Sequence, residues 1–202
     1  MANRLSIGAV VLAAGRSSRM GQPKMVLPWG ETTVIGQVVA ILTTCDVAPI
    51  VVVTGGAADL VELALNGTSA VSIRNPDFAV SEMLLSIQIG LSAMPAGVQA
   101  CLVCLGDQPQ IEASVVVRLI QRYQQTGCPL VVPSYQMRRG HPWLLDRSLW
   151  DDILAMGPDD NLRRFLNRHE TVITYENVDT PSVLKDLDTP EDYQADRPYP
   201  KG

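Results

Sequence analysis

Short apolar runs alternate with longer amphipathic stretches along the chain, a pattern typical of β-α-β units. Runs rich in branched apolar residues predict strands over Ile7–Leu12, Ile50–Thr54, Val71–Ile73, Cys101–Leu105, Leu130–Pro133 and Val172–Tyr175. The first, second and fourth are apolar at nearly every position, which indicates central strands covered on both faces. The intervening stretches predict helices over Thr33–Thr44, Ala57–Leu65, Glu82–Ala93, Glu112–Gln125, Arg147–Ala155 and Asn161–Arg168, with caps such as Thr32 and Ser81. We therefore predict an α/β fold, a three-layer α/β/α domain with a mainly parallel central sheet.

Composition limits the classes of protein that remain. The chain has 202 residues and neither a repeat nor a linker, so we expect a single domain over 1–195 and a frayed tail over 196–202. With 47% hydrophobic and 18% charged residues the chain is too apolar for a disordered protein. No apolar run reaches the roughly 18 residues of a membrane span, and a net charge of -5 argues against a nucleic-acid partner.

Two local features have competing interpretations. Arg4 followed by the apolar stretch 5–14 is similar to the start of a secretory signal, but its branched residues and the following Arg16 and Arg19 favour a first strand and a cytoplasmic protein. The spacing Cys101-x-x-Cys104 would suit a metal or redox pair. Because residues three apart on a strand point to opposite faces, we predict reduced core thiols instead.

The loop that follows the first strand is the first candidate site. Its small residues let the backbone approach a ligand, and its N–H groups can face an anion. Five residues separate Gly15 from Gly21 and no Lys-Ser/Thr follows, which excludes a P-loop, and the chain has no Gly-x-Gly-x-x-Gly. Arg19 and Lys24 suit different phosphates of one triphosphate, although two solvated surface charges would look the same.

The end of the fourth predicted strand is the second candidate site. Asp107 follows Gly106 there, at the sheet edge where ligands of open parallel sheets bind. Mg²⁺ is often held by one or two carboxylates plus substrate phosphates and water, so one Asp facing a phosphate loop is sufficient. The alternative is a turn or cap residue, as Pro109 would permit.

These segments together resemble a known family. Leu12-Ala-Ala-Gly-x-Ser-x-Arg-Met-Gly-x-x-Lys24 is similar to the signature of nucleotidyltransferases with a glycosyltransferase-A-like fold, and Leu27-Pro-Trp-Gly30 narrows it to the molybdenum cofactor cytidylyltransferases. Further motifs in the family's order are Val53-Thr-Gly55, Asn75-Pro76, Met83 with Ser86, Gly106-Asp-Gln-Pro109, Gly140-His-Pro142 and Asp186-Leu-Asp-Thr-Pro-Glu-Asp192. The resemblance implies transfer of CMP from CTP to the terminal phosphate of a molybdopterin-type cofactor, with release of pyrophosphate and a recipient molybdoenzyme for the product.

The resemblance also implies roles for individual residues. Arg19, Lys24 and Asp107 are the expected catalytic residues, the first two on the triphosphate and the third on Mg²⁺. Asp188, or alternatively Asp186, is the expected second metal ligand. The nucleotide-binding set is Leu12, Ala13, Ala14, Gly15, Arg19, Lys24, Thr54, Gly55 and Gly106, and the substrate-binding pair is Ser86 and His141. Guanylyltransferase relatives typically read Leu-Ala-Gly-Gly, so Ala14 favours cytosine, by only about 1–3 kcal/mol for one methyl group.

Two departures and three alternatives qualify the resemblance. Glu82-Met83 stands where relatives have Gly-Met, and 157–163 differs from the usual Gly-Asp-x-Gly-Ala-Arg segment, so the acceptor is left open. One alternative is a related transferase that uses GTP or a sugar phosphate. Another is a non-catalytic nucleotide-binding subunit that delivers the cofactor. The acidic segment 186–192 also has the pattern of a cap and first-turn proline of a terminal helix.

Overall fold

The computed structural model describes residues 5–15, 18–79 and 83–198. In chain order the strands are β1 (Ile7–Ala13), β2 (Pro28–Trp29), β3 (Thr32–Thr33), β4 (Ile50–Thr54), β5 (Val71–Arg74), β6 (Ala100–Leu105), β7 (Leu130–Tyr135), β8 (Arg138–Arg139), β9 (Trp143–Asp146) and β10 (Ile173–Asn177). The α-helices are α1 (Val34–Thr44), α2 (Ala58–Ala64), α3 (Met83–Ser92), α4 (Ala113–Thr126), α5 (Trp150–Leu154), α6 (Leu162–Arg168) and α7 (Pro190–Asp196). Among these helices, none combines the length and apolar character that crossing a membrane requires.

The main sheet is mixed but mostly parallel. Its strand order is β10-β7-β9-β6-β1-β4-β5, with β8 paired to β7. β1 runs parallel to β4 and β6, whereas β9 is antiparallel to both β6 and β7. Because β9 reverses the direction on each side, β6 and β7 run the same way and end at the same edge as β1. The predicted α/β class is confirmed, and the three strands predicted to be central are interior in the sheet.

Alternation of side chains along the strands builds two cores, one on each face of the sheet. In β1, Ala9 and Val11 pack into the core beneath α1, α2 and α4, while Val10 and Leu12 pack into the core beneath α3, α5 and α6. The cysteine pair divides in the same way, Cys104 into the first core and Cys101 into the second. Burial raises the pKa of the Cys101 thiol to about 12, so this pair consists of unreactive core thiols, as predicted.

Several predicted boundaries need correction. The N-cap of α1 is Thr33, whose Oγ1 accepts from the Gly36 N–H at 3.1 Å; the predicted cap Thr32 instead pairs with Trp29 in the β2–β3 hairpin. The helix predicted from Arg147 begins as a 3₁₀ turn and becomes α-helical only at α5. The last predicted strand starts one residue later, at Ile173. Ser81 and the predicted helix start at Glu82 lie outside the described residues.

The end of the chain forms a capped helix. Thr189 and Asp192 bond reciprocally in a capping box, and Pro190 opens α7, which confirms the terminal helix that this segment's pattern indicated. The predicted tail therefore overlaps the helix at Asp196, and its residues beyond 198 lie outside the described ranges.

Candidate active site

The carboxyl ends of β1, β4 and β6 lie side by side. In register, Leu12 of β1 pairs with Leu105 of β6, and Ala13 pairs with Thr54 of β4. The chain proceeds from β1 to one side of the sheet through β4 and β5, and later returns to the other side with β6. Ligands of open α/β sheets bind at such a switch point, outside the strand ends. The loops that carry the predicted site residues thus begin on the two sides of one crevice.

Lys24 is the centre of this crevice. It opens a 3₁₀ turn, Lys24–Val26, and it is 7% exposed, which is rare for a lysine unless it is paired. Its Nζ lies 2.5 Å from Asp107 Oδ2 and 3.3 Å from Asp188 Oδ1. The two loops predicted to act together therefore meet, joined by the ammonium.

Asp188 extends the cluster toward solvent. Its Oδ2 lies 3.0 Å from the Arg19 guanidinium, and the exposed fractions are 69% for Arg19 and 38% for Asp188. Solvent screens this outer pair, so it contributes about 1 kcal/mol or less to stability. Arg19 is thus a solvated cation beside the buried one, free of packing that would prevent it from meeting an anionic ligand.

The acidic segment reaches the crevice through its backbone. Leu187 donates its N–H to the Asp107 carbonyl at 3.0 Å, which places the residues before and after it against the end of β6. Asp188 then contacts Lys24, while Asp186 Oδ1 accepts from Gln108 Nε2 at 3.5 Å. Burial, followed by the charge of Asp107, raises the pKa of the Asp186 carboxyl. Of the two candidates for second metal ligand, Asp188 is the one that shares an ammonium with Asp107.

Two glycines of the nucleotide-binding set let the loops approach closely. A Cβ at Gly55 would lie 2.4 Å from the Ala14 carbonyl oxygen, and one at Gly106 would lie 2.9 Å from that of Leu12. Gly106 also donates its N–H to the Leu12 carbonyl at 2.9 Å. Since neither contact leaves room for a side chain, glycine at both positions holds the ends of β4 and β6 against the loop that follows β1.

The donor set suits a hard divalent ion. Mg²⁺ prefers carboxylate oxygens and usually takes its remaining ligands from phosphate and water. Within the described ranges, no three His, Cys, Asp or Glu side chains are arranged to hold a metal by themselves. Asp107 and Asp188 therefore fit an ion that arrives with phosphate ligands, and they do not form a complete protein cage.

The predicted substrate-binding residues lie on opposite sides of the crevice. Ser86, on α3, is buried and accepts a 3.0 Å hydrogen bond from Asn75 Nδ2, while the Asn75 N–H donates to the Thr54 carbonyl at 2.8 Å. Ser86 therefore supports the loop beyond β4 and β5. Its substrate contact stays a prediction.

His141 is partly buried and stacks on Trp143, with ring centroids 4.8 Å apart. The backbone N–H of His141 donates to the Val183 carbonyl at 2.9 Å, in the turn that leads to the acidic segment. Burial lowers the pKa of His141 to about 4, so the ring is neutral at pH 7. Its Nε2 is buried and has no hydrogen-bond partner among the residues that the structure describes. A role in binding substrate stays a prediction.

A third, small core lies beneath the site. It consists of Met20, Leu27, Trp29, Val34, Leu187 and Tyr193. Met20 follows Arg19, Leu27 follows the Lys24 turn, and Leu187 precedes Asp188, so the cluster joins the cationic loop to the acidic segment. Tyr193 of α7 closes it, with its hydroxyl donating to the Pro28 carbonyl at 2.6 Å. The sequence indicated the helix through the cap and first-turn proline of segment 186–192, but nothing in it indicated that this helix packs against the cationic loop.

Comparisons with known proteins identify the family of the chain. The profile described as MobA-like NTP transferase domain matches residues 9–172. The molybdenum cofactor cytidylyltransferase of Escherichia coli (strain K12) is 29% identical over 192 residues, which are 93% of this chain and 94% of that protein. A probable molybdenum cofactor guanylyltransferase of Mycobacterium avium (strain 104) is 32% identical over 137 residues, 66% of each chain.

Solved structures show the same fold. Rv0371c from Mycobacterium tuberculosis H37Rv is 28% identical and superposes with a TM-score of 0.80, over 95% of this chain and 96% of that one. A complex of Rv0371c with manganese gives a TM-score of 0.76 at 26% identity, over 95% of this chain and 97% of that one. The predicted glycosyltransferase-A-like nucleotidyltransferase fold is thereby confirmed. Because the family model matches residues 9–172, which is most of the chain, the chain belongs to the MobA-like NTP transferase family.

Proposed function

We propose that the protein transfers CMP from CTP to the terminal phosphate of a molybdopterin-type cofactor and releases pyrophosphate. The observation that carries the proposal is the contact of the Lys24 ammonium with both Asp107 and Asp188 at the switch point of the sheet. Family membership supports nucleotidyl transfer, and the cytidylyltransferase matched over 93% of this chain supports the choice of substrates.

The chemistry needs charge neutralisation more than a base. An oxygen of the acceptor phosphate is anionic at neutral pH, so it attacks the α-phosphorus without prior deprotonation. The new oxygen–phosphorus bond forms as the bond to the β-phosphate oxygen breaks, and pyrophosphate leaves with the electron pair. In this proposal Lys24 binds the α-phosphate oxygens, Arg19 and the loop N–H groups hold the departing pyrophosphate, and Asp107 and Asp188 would hold Mg²⁺. Mg²⁺, when bound there, supplies further positive charge to the phosphates.

The choice of nucleotide rests on one side chain. Ala14 follows β1 and its carbonyl oxygen lies against Gly55, in the part of the crevice that the resemblance assigns to the base. A guanylyltransferase activity is the second candidate, favoured by the 32% identity to the mycobacterial protein. Ala14→Gly should shift the kcat/KM ratio toward GTP by up to about 10- to 150-fold, the value of one methyl group in a binding site. An unchanged ratio would place base selection elsewhere.

The test is a matrix of substrates. Pyrophosphate release is measured with each NTP and Mg²⁺ against molybdopterin-type cofactor and against sugar phosphates. We expect turnover only with the pair CTP and cofactor, and loss of that turnover in Asp107→Ala. Turnover with a sugar phosphate alone would refute the proposed acceptor. Nucleotide binding without turnover on any acceptor would favour a non-catalytic delivery subunit. A recipient molybdoenzyme stays a prediction from the resemblance.

A further inference from the structure

The terminal helix α7 makes more contacts with the site than a capped helix requires. In a capping box the acidic side chain accepts from the backbone N–H of the cap residue, here Thr189, and Asp192 Oδ2 does so at 2.8 Å. The same oxygen also accepts from the Thr189 hydroxyl at 2.8 Å and from the Asp188 N–H at 3.3 Å. The third bond reaches the residue whose carboxylate contacts Lys24 and Arg19.

The same turn of α7 also contacts the chain segment that follows Lys24. Tyr193, next to Asp192, is buried, bonds the Pro28 carbonyl and packs with Trp29, whose ring centroid lies 6.4 Å away. Pro28 and Trp29 follow the turn that carries Lys24. One turn of α7 therefore contacts both chain segments whose side chains meet at the ammonium.

Charge in this region is consistent with a role beyond capping. The hydrogen bonds from Thr189 lower the pKa of the Asp192 carboxyl, and the nearby positive charge of Arg19 adds to the effect. Asp192 is thus an anion beside the Arg19–Asp188 pair. Asp196, one turn further along α7, instead accepts a hydrogen bond from Lys185 Nζ at 2.9 Å.

We propose that Asp192 is a positioning residue that acts through Asp188, and that Tyr193 anchors its helix to the Lys24 segment. The inference rests on the proposed function in so far as Asp188 serves a metal–nucleotide complex. Asp192 would act by fixing the backbone of Asp188, whose N–H it binds. Outer-shell partners that orient a ligating residue contribute to metal affinity, and their removal typically costs about 10- to 100-fold. The terminal helix then positions Asp188 through the hydrogen bond between Asp192 and the Asp188 N–H.

The experiment measures binding of Mn²⁺ in the presence of saturating CTP, by electron paramagnetic resonance, for the full-length wild type and its variants. Asp192→Asn should weaken Mn²⁺ binding about tenfold or more. Asp196→Asn, the matched control on the same helix, should leave it within twofold of wild type. Tyr193→Phe should weaken it about 2- to 10-fold, the equivalent of one neutral hydrogen bond. In an Asp188→Asn background, Asp192→Asn should add less than a twofold change.

Each result decides the inference. If Asp192→Asn and Asp196→Asn lower the melting temperature alike and leave Mn²⁺ binding unchanged, α7 only stabilises the fold and the inference is wrong. Additive effects of Asp192→Asn and Asp188→Asn would equally overturn it. Because the readout needs no acceptor, failure of the wild type to turn over any acceptor overturns the proposed function alone. Wild-type protein that binds no Mn²⁺ with CTP overturns both.

Discussion

Lys24 occupies the space between the two carboxylates that would hold a divalent ion, and this predicts that metal binding depends on the nucleotide. With Nζ 2.5 Å from Asp107 and 3.3 Å from Asp188, the ammonium and a metal ligated by the same oxygens exclude each other. Metal binding therefore requires the ammonium to move, and the natural new partner for it is a phosphate of the nucleotide. Without nucleotide, the free protein should bind Mg²⁺ or Mn²⁺ weakly.

The perturbation is Lys24→Met, which keeps an unbranched four-atom side chain and removes the ammonium group with its charge. Separating a charged hydrogen-bond donor from its partners costs about 1.5–3 kcal/mol net. In the wild type, a metal can bind only after the ammonium has separated from Asp107 and Asp188, which costs this free energy. The variant has no ammonium to separate. Nucleotide-free Mn²⁺ should therefore bind the variant about 10- to 100-fold more tightly than the wild type. In the presence of CTP the sign should reverse, because the variant lacks the cation that holds the triphosphate.

The assay is titration of Mn²⁺ with and without CTP, again by electron paramagnetic resonance. Arg164→Met is the matched control, since Arg164 is an exposed cation of α6 whose ion pair with Asp160 lies outside the predicted nucleotide and metal site. Arg19→Met should give a smaller gain than Lys24→Met, because Arg19 contacts only the outer carboxylate and is 69% exposed. In turnover, Lys24→Met should lower kcat more than it raises KM, as expected for a group that acts in the transition state. Equal or weaker nucleotide-free Mn²⁺ binding in Lys24→Met would refute the reasoning.

Two further predictions concern the frame of the site. Gly55→Ala should destabilise the fold by about 1–3 kcal/mol and weaken CTP binding, because its Cβ would lie 2.4 Å from the Ala14 carbonyl oxygen. The free energy of unfolding is measured by chemical denaturation, with Gly97→Ala as the control, because a Cβ at Gly97 would have nothing within 4 Å. Equal effects of the two substitutions would contradict the close approach at Gly55. His141 should make the protein acid-sensitive. Its pKa falls from 6.5 to about 4 on folding, so the unfolded chain binds more protons between these values and stability falls as pH drops through that window. The loss approaches about 3 kcal/mol near pH 4 at 1.36 kcal/mol per pKa unit. Urea denaturation of His141→Phe should show a smaller loss between pH 7 and pH 4.5, and an identical loss would contradict the assignment.

The fold was predictable where local pattern and burial agree. The central strands are apolar on both faces because helices cover both faces of the sheet. A single apolar run such as Ile50–Thr54 is therefore enough to predict a central strand. β9 was missed because its four residues, Trp143–Asp146, pair antiparallel with two strands distant in sequence and run directly into a 3₁₀ turn. A short apolar run of this kind fits a helix start equally well, and only tertiary pairing decides between them.

The sequence was sufficient to predict which loops meet at the candidate site, but not every contact between their residues. Two loops that leave parallel strands end at one edge, so the meeting of Lys24 with Asp107 follows from topology. The choice between Asp186 and Asp188 does not, because it depends on a backbone bond from Leu187 to Asp107 that no spacing in the sequence reveals. The same holds for Asp192, whose pattern predicts a helix cap and whose extra bond to Asp188 is a tertiary contact.

In the proposed function, the charges of this cluster would be balanced both in the free protein and in the protein that holds nucleotide and metal. Breaking a buried ion pair by removing one partner costs about 3–5 kcal/mol, because it leaves a charge without compensation. If Lys24 moved alone, the Asp107 carboxylate, whose side chain is only 17% exposed, would face that cost. In the proposed function, simultaneous binding of nucleotide and metal would avoid this cost, since a phosphate would replace the carboxylates as partners of the ammonium while the metal would replace the ammonium as partner of the carboxylates. Each partly buried charge keeps a counter-charge throughout, so metal and nucleotide should bind with positive cooperativity, and the coupling should disappear in Lys24→Met.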